Sequence, residues 1–304
     1  MPLDAPPPPD PAALEAMAAA LEASGEYRVL RRIAPRPSLP VPQGAATRLG
    51  LVLDVETTGL DHGQDEIIEL AMLPFTYGLD GTLYSVGEAF SRLRQPARPI
   101  PPEVTALTGL TDAMVAGQSF TPEEVAAFIG PAALVIAHNA GFDRRFAEAF
   151  CPDFAAKPWA CSLHGVDWAA EGFEGRRLGD LAARHGLFFD GHRAVHDCQA
   201  TLEILARPLP RSGVPALVRL LEAARRPSWR IWAEGAPFAA KDRLKARGYR
   251  WNGEANGRPR AWYIEVAEEQ LEAETAFLRS EIYAGEVDVP MRRLTALERF
   301  SERG

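Results

Sequence analysis

Cysteine is scarce in this chain. There are three in 304 residues, Cys151, Cys161 and Cys198, and no two stand in C-x-x-C spacing. That argues against a zinc module and against a disulfide framework. No apolar run is long enough to span a bilayer, and no apolar signal segment opens the sequence. The expectation is a soluble protein of a reducing compartment, the cytoplasm. Positive charge is also short: 33 Lys and Arg face 41 Asp and Glu, a net charge of −8. That balance argues against a tight nonspecific binder of duplex nucleic acid, although local basic patches matter more than the total.

What the chain does have is a pair of carboxylates at the end of an apolar run, Leu51-Val52-Leu53-Asp54-Val55-Glu56-Thr57-Thr58-Gly59-Leu60. In a strand, residues i and i+2 share a face, so Asp54 and Glu56 project side by side. Two anions held that close resist joint ionisation. A divalent cation removes the conflict, and carboxylate oxygen is what magnesium and manganese prefer. Sites of this kind need further carboxylates and a base. Val135-Ile136-Ala137-His138-Asn139-Ala140-Gly141-Phe142-Asp143 supplies an apolar run that breaks into a helix with Asp143 in its first turn. His192-Arg193-Ala194-Val195-His196-Asp197 leads into an amphipathic helix. His192 and Asp197 are five residues apart, about one and a half turns of helix. A loop or frayed turn over Gly191 to Ala194 brings both to one pocket.

These three motifs, in this order, resemble the DEDDh 3′→5′ exonucleases, the family that contains the proofreading epsilon subunit of bacterial DNA polymerase III. A weaker signature, Leu107-Thr108-Gly109-Leu110-Thr111, sits between the first two, and the resemblance covers roughly residues 48–207. It implies a ribonuclease-H-like α/β fold, a mixed sheet flanked by helices. It implies two divalent cations, Mg²⁺ or Mn²⁺, held by Asp54, Glu56, Asp143 and Asp197, with His192 as general base. It places Thr57, Thr58, Leu60 and Asn139 against the terminal nucleotide. The implied activity is stepwise release of nucleotides from the 3′ end of single-stranded DNA. The implied partners are nucleic acid and a DNA polymerase or another replication or repair protein. An RNA 3′-end exonuclease and a non-catalytic nucleic-acid-binding module are the alternatives.

Each residue also has a plainer reading. Asp54 and Glu56 are alternatively an exposed edge-strand pair, Asp143 a helix-capping carboxylate, and Asp197 a solvated helix acid. His196 competes with His192 for the role of base. His138 is alternatively a strand-end histidine satisfied by backbone. His62, His164 and His185 have no constellation around them.

The chain divides by composition into a Pro/Ala-rich arm (1–45), the exonuclease-like domain (46–208), a helical linker (209–228) and a small α+β module with its tail (229–304). Met1 to Pro11 is expected as a polyproline or disordered arm, and Tyr27 to Ile33 as a short strand. In the central domain strands are expected at 49–55, 67–76, 83–93 and 134–137, with helices at 102–107, 121–129, 142–149, 178–185 and 196–206. Thr121 and Glu124 have capping-box spacing. From Arg225 to Arg260, ten basic residues stand against three acids, interleaved with Trp229, Trp232, Tyr249 and Trp251. Trp262 and Tyr263 follow. A basic, aromatic surface suits backbone attraction and base stacking; the same residues equally suit a small domain with a tryptophan core and a solvated basic surface. The tail after Val289 carries no readable signal.

Overall fold

The computed structural model describes residues 10–253 and 257–303; the polyproline run Pro6 to Pro9 lies outside them. The chain begins with helix α1 (Pro11–Ala23) and a two-residue strand β1 (Arg31–Arg32). Next come β2 (Thr47–Thr57), β3 (Ile67–Gly78), β4 (Leu83–Val86) and β5 (Phe90–Leu93). Helices α2 (Pro102–Thr108), α3 (Asp112–Val115) and α4 (Pro122–Ile129) lead to β6 (Leu134–Ala137), α5 (Ala140–Phe150) and β7 (Trp159–Cys161). Helix α6 (Leu178–Arg184), β8 (Leu187–Phe188), α7 (Ala194–Ala206) and α8 (Ala216–Arg225) follow. The C-terminal part holds β9 (Ser228–Ala233), α9 (Lys241–Ala246), β10 (Arg250–Trp251), β11 (Trp262–Ala267), α10 (Leu271–Phe277) and β12 (Met291–Leu294).

The main sheet runs β4-β3-β2-β6-β7, with β5 also on β3. Strands β2 to β5 pair antiparallel, and β6 and β7 add in parallel. This is the mixed α/β, ribonuclease-H-like architecture. Strand β2 shows why it forms: Leu51, Leu53 and Val55 enter one core with α4 and α5, and Val52 enters the other with α6, α7 and α8. Thr121 caps α4 through the expected box, its hydroxyl accepting from Glu124 N–H while Glu124 accepts from Thr121 N–H.

The sequence expectation departs from the structure in several places. The strand expected over 83–93 is split, because Pro74 on β3 has no N–H to donate there. Its carbonyl accepts from Gly87 N–H instead, and the register slips between the two halves. Strand β7 was missed, being three buried residues without alternation. The strand expected over 27–33 forms but is confined to Arg31 and Arg32, which pair with Leu187 and Phe188, and Arg36 bridges to Glu203. Within the expected linker 209–228 a helix forms, α8, but one face of it packs into the core. Leu217, Leu220 and Leu221 on α8 are buried in the main cluster, and at about 1.5–3 kcal/mol each their burial rivals a whole domain's net stability of about 5–15 kcal/mol.

The tail is equally structural. After β12 joins the C-terminal sheet, residues 295–303 return to the exonuclease half. Ala296 O accepts from Trp159 N–H, closing the free edge of β7. The fully buried Arg144 pairs with Glu148 at 2.7 Å and donates to the carbonyls of Ala296, Leu297 and Arg299. Arg299 in turn donates to Ala223 O and Ala224 O, two of the terminal carbonyls of α8. Deleting residues 295–304 would leave a buried guanidinium with one acidic partner. The expected loss is at least about 3 kcal/mol, read as a lower urea midpoint. An unchanged midpoint would show that the tail is not part of the fold.

Candidate active site

The site is built where β2 outruns its neighbour. Parallel pairing with β6 is recorded only for Gly50 to Val52, while β2 continues to Thr57. Beyond Val52 the same-face positions are Asp54 and Glu56. Helix α7 packs across this face, its Cys198 thiol against the carbonyls of Val52 and Ala71. The residue before Cys198 is Asp197. One carboxylate oxygen each from Asp54, Glu56 and Asp197 lies within 4.8 Å of the other two. Asp143 reaches the strand end from α5 on the opposite side of the sheet. It is buried, and its Oδ1 accepts from the Val55 N–H at 3.3 Å, a donor left over past the end of β6.

The electrostatics follow from this crowding. Burial, then the charges of Asp143, Asp197, Glu56 and Glu69, hold the Asp54 carboxyl far above the usual range. Burial and Asp197 push Glu56 up to about 8, and burial pushes Asp143 up to about 8 against the pull of backbone N–H groups. Asp197 is raised by burial too, partly offset by N–H donors of His192 and Arg193. Acids that cannot ionise together and present three oxygens to one point are a donor set that fits a divalent cation. Asp143 adjoins this trio without belonging to it.

His192 is exposed and lies in the left-handed region, φ 62°. His and Asn tolerate that conformation better than most residues, and its appearance at a site is a strained feature held by its surroundings. The holding group is one that sequence reasoning missed. Glu69, on β3 directly across from Glu56, accepts from Arg193 Nε and Nη2 at 3.1 Å and from Ala194 N–H at 3.2 Å. It thereby clamps the loop that precedes α7. Its signal was legible: a lone acid inside the apolar run Ile67-Ile68-Glu69-Leu70-Ala71-Met72. His196 instead turns to the Asp190 carbonyl at 3.0 Å. His138 is held between Ser162 Oγ and Arg176 O, and burial pushes its pKa down to about 4.

The expected nucleotide contacts divide. The Thr57 hydroxyl donates to Gly59 O and the Thr58 hydroxyl to Asp65, both within the loop after β2. A Cβ at Gly59 would sit 2.4 Å from Asp65 Oδ2 and would push aside the carboxylate that accepts from the Thr58 hydroxyl and the Asp61 N–H. Leu60 is 86% exposed at its tip. Asn139, φ 79°, is the exposed residue that opens α5.

Carboxylates gathered from a strand end and two helices of a ribonuclease-H-like sheet define a nuclease-type site. The profile of the family described as "Exonuclease" (RNase_T) matches residues 51–205, just over half of the chain, and the chain belongs to that family. It is similar to the DNA polymerase III subunit epsilon of Aquifex aeolicus, 30% identical over 167 residues, covering 52% of this chain and 79% of that one. Exodeoxyribonuclease 10 of Escherichia coli K12 is 29% identical over 169 residues, covering 53% and 69%. A PolC-type DNA polymerase III of Halalkalibacterium halodurans is 33% identical over 165 residues, but the match takes in 52% of this chain and only 11% of that one. Among solved structures, exonuclease X in complex with 5′ overhanging duplex DNA is 26% identical at a TM-score of 0.40, covering 56% of this chain and 99% of that one. Among the described residues no helix is long and apolar enough to cross a membrane.

The raised carboxyls give a pH signature. In unfolded chain such groups ionise near about pH 4. In the cation-free fold Glu56 and Asp143 keep their protons to about pH 8. The native state then binds more protons than the unfolded chain between those limits, so stability falls as pH rises across the window. Chelated protein should melt at a lower temperature at pH 9 than at pH 5, and added divalent cation should restore the loss at high pH far more than at low. A melting temperature that rises with pH in chelator would refute the raised carboxyls.

Proposed function

We propose that the protein is a two-metal-ion 3′→5′ exonuclease that releases nucleotides from the 3′ end of single-stranded DNA. The observation that carries this reading is the convergence of Asp54, Glu56 and Asp197 within 4.8 Å, with buried Asp143 adjoining. Asp54, Glu56 and Asp197 would hold one cation, and Asp54 with Asp143 a second, Mg²⁺ or Mn²⁺. Cations held there would supply charge neutralisation of the carboxylates, a more acidic attacking water and stabilisation of the leaving 3′ oxygen. His192, exposed on its clamped loop, would accept the proton of the attacking water. Leu60, exposed at the tip of the loop after β2, meets the terminal base; Thr57 and Thr58 shape that loop, and Asn139 approaches from the start of α5.

DNA is preferred over RNA because two of the relatives carry the names DNA polymerase III subunit epsilon and exodeoxyribonuclease 10. The first name also makes a DNA polymerase the first protein partner to test. Matched 3′- and 5′-labelled DNA and RNA single strands, with either cation, test substrate and polarity together. Stepwise release from RNA alone would replace the DNA reading.

Asp54→Asn should abolish nucleotide release while the fold survives, and the cation-free variant should melt higher than wild type because repulsion is relieved. His192→Ala should slow release by about 10²–10⁴-fold. His196→Ala should cost little, since that ring faces a backbone carbonyl. If the His196 variant is the inactive one, the base has been misassigned by about one helical turn.

A further inference from the structure

A cleft of about 480 Å³ separates the first turn of α5 from the C-terminal sheet. Asn139, Gly141 and Arg145 line one wall, Arg226, Arg250 and Tyr263 the other. A smaller hollow of about 110 Å³ shares Arg145 and Tyr263 with it and adds Trp251, which is 54% exposed. The cleft holds an excess of positive charge that the fold does not use. Of its other arginines, Arg230 pairs with Glu265, Arg299 is engaged by carbonyls of α8, and Arg258 donates to Ser301 O. Arg145, Arg226 and Arg250 are exposed, and among the described residues none has a carboxylate at ion-pair distance. Arg250 lies over the Tyr263 ring at 5.5 Å, and Arg230 approaches the same ring at 5.3 Å. Like charges gathered in a partly enclosed groove are unfavourable unless a polyanion enters.

We propose that this cleft binds the phosphodiester backbone of a single nucleic-acid strand, with Arg145, Arg226 and Arg250 on phosphates and Tyr263 and Trp251 against bases. The proposal rests on the exonuclease reading for its choice of ligand, because Asn139, Gly141 and Arg145 belong to the motif and helix that carry Asp143. It also revises the expectation of a stacking surface. Trp232 and Tyr249 are buried and Trp229 packs against the module core, which leaves Trp251 as the tryptophan of this module that is exposed. The arginines, rather than a row of tryptophans, do the binding.

The test is equilibrium binding of fluorescent dT strands of two to sixteen nucleotides in chelator, so that nothing is cleaved. Affinity for the wild-type chain should climb with strand length and fall with salt. The variant R145Q/R226Q/R250Q should bind the long strand at least about tenfold more weakly at low salt. Its salt slope should be smaller by about 2, since each phosphate contact on a single strand contributes about 0.7. The control K241Q/K245Q/R293Q removes three charges that do not line the cleft and should keep the wild-type slope. Matched rU strands should give a similar slope, because phosphate carries the contact. An unchanged slope in the cleft variant, an equal loss in the control, or affinity that stops rising beyond a dinucleotide would each overturn the proposal. Nucleotide release by wild type with cation, run alongside, separates the two readings. Release with an unaltered cleft-variant slope refutes the cleft alone. A lost slope without any release supports the cleft and refutes the nuclease chemistry.

Discussion

Mutual repulsion among carboxylates at one end of β2 is the constraint on which the rest of the molecule depends. Asp54, Glu56, Asp143 and Asp197 come from one strand and two helices, on both faces of the sheet. Left to themselves they would part. They are held by two apolar cores that flank the sheet, in which residues such as Leu51, Leu53, Leu202 and Leu205 are almost wholly buried. Each such side chain contributes about 1.5–3 kcal/mol, enough in number to impose the crowding. The site therefore stores an unfavourable arrangement that a cation relieves, so that binding energy and folding energy are linked there.

Among the described residues, Arg193 is the arginine that acts on these acids, and its position decides its effect. Its guanidinium is engaged by buried Glu69, so it neutralises that acid rather than the cluster, while still lowering Glu56 somewhat. A free arginine among the four carboxylates would compete with a metal for them. Bound to Glu69, it fixes the turn in which His192 adopts its left-handed conformation and from which α7 starts, with Asp197 in its first turn. One ion pair thus keeps the site open for a metal and orients two of its residues.

The acidic site was legible in the sequence because its signals are local. A strand that ends in Asp-x-Glu, a helix that opens after His-Asn and a His followed five residues on by Asp each sit inside a few residues of an interpretable element. The registers of β2, β6 and α5 follow from apolar periodicity. What was not legible depends on distance along the chain. Strand β7 is defined by its partner β6, not by its three residues. Helix α8 reads as an amphipathic connector until it is seen that its leucines fill the same core as Val52 and Leu202. The tail reads as charged and featureless because its contacts run to backbone carbonyls that side chains do not announce: its own accept from Trp159 and Arg144, and those of α8 accept from Arg299. Glu69 was overlooked because a single acid in an apolar strand says that something must pair with it without saying what.

Helix α5 shows how the two halves of the chain are tied. Successive residues on a helix turn by about 100°, and three in a row face three different surroundings. Asp143 faces the strand end and the carboxylates. Arg144 is swallowed by the returning tail, stacked near Trp159 and bonded to three carbonyls. Arg145 opens into the basic cleft shared with the C-terminal sheet. A displacement of the module would act through β12 and the tail on Arg144, and so on the one helix that delivers Asp143. The C-terminal part is therefore no independent appendage. Its seating helps to set the position of an acid in the site, and a strand drawn into the cleft would press on both sides of the same helix.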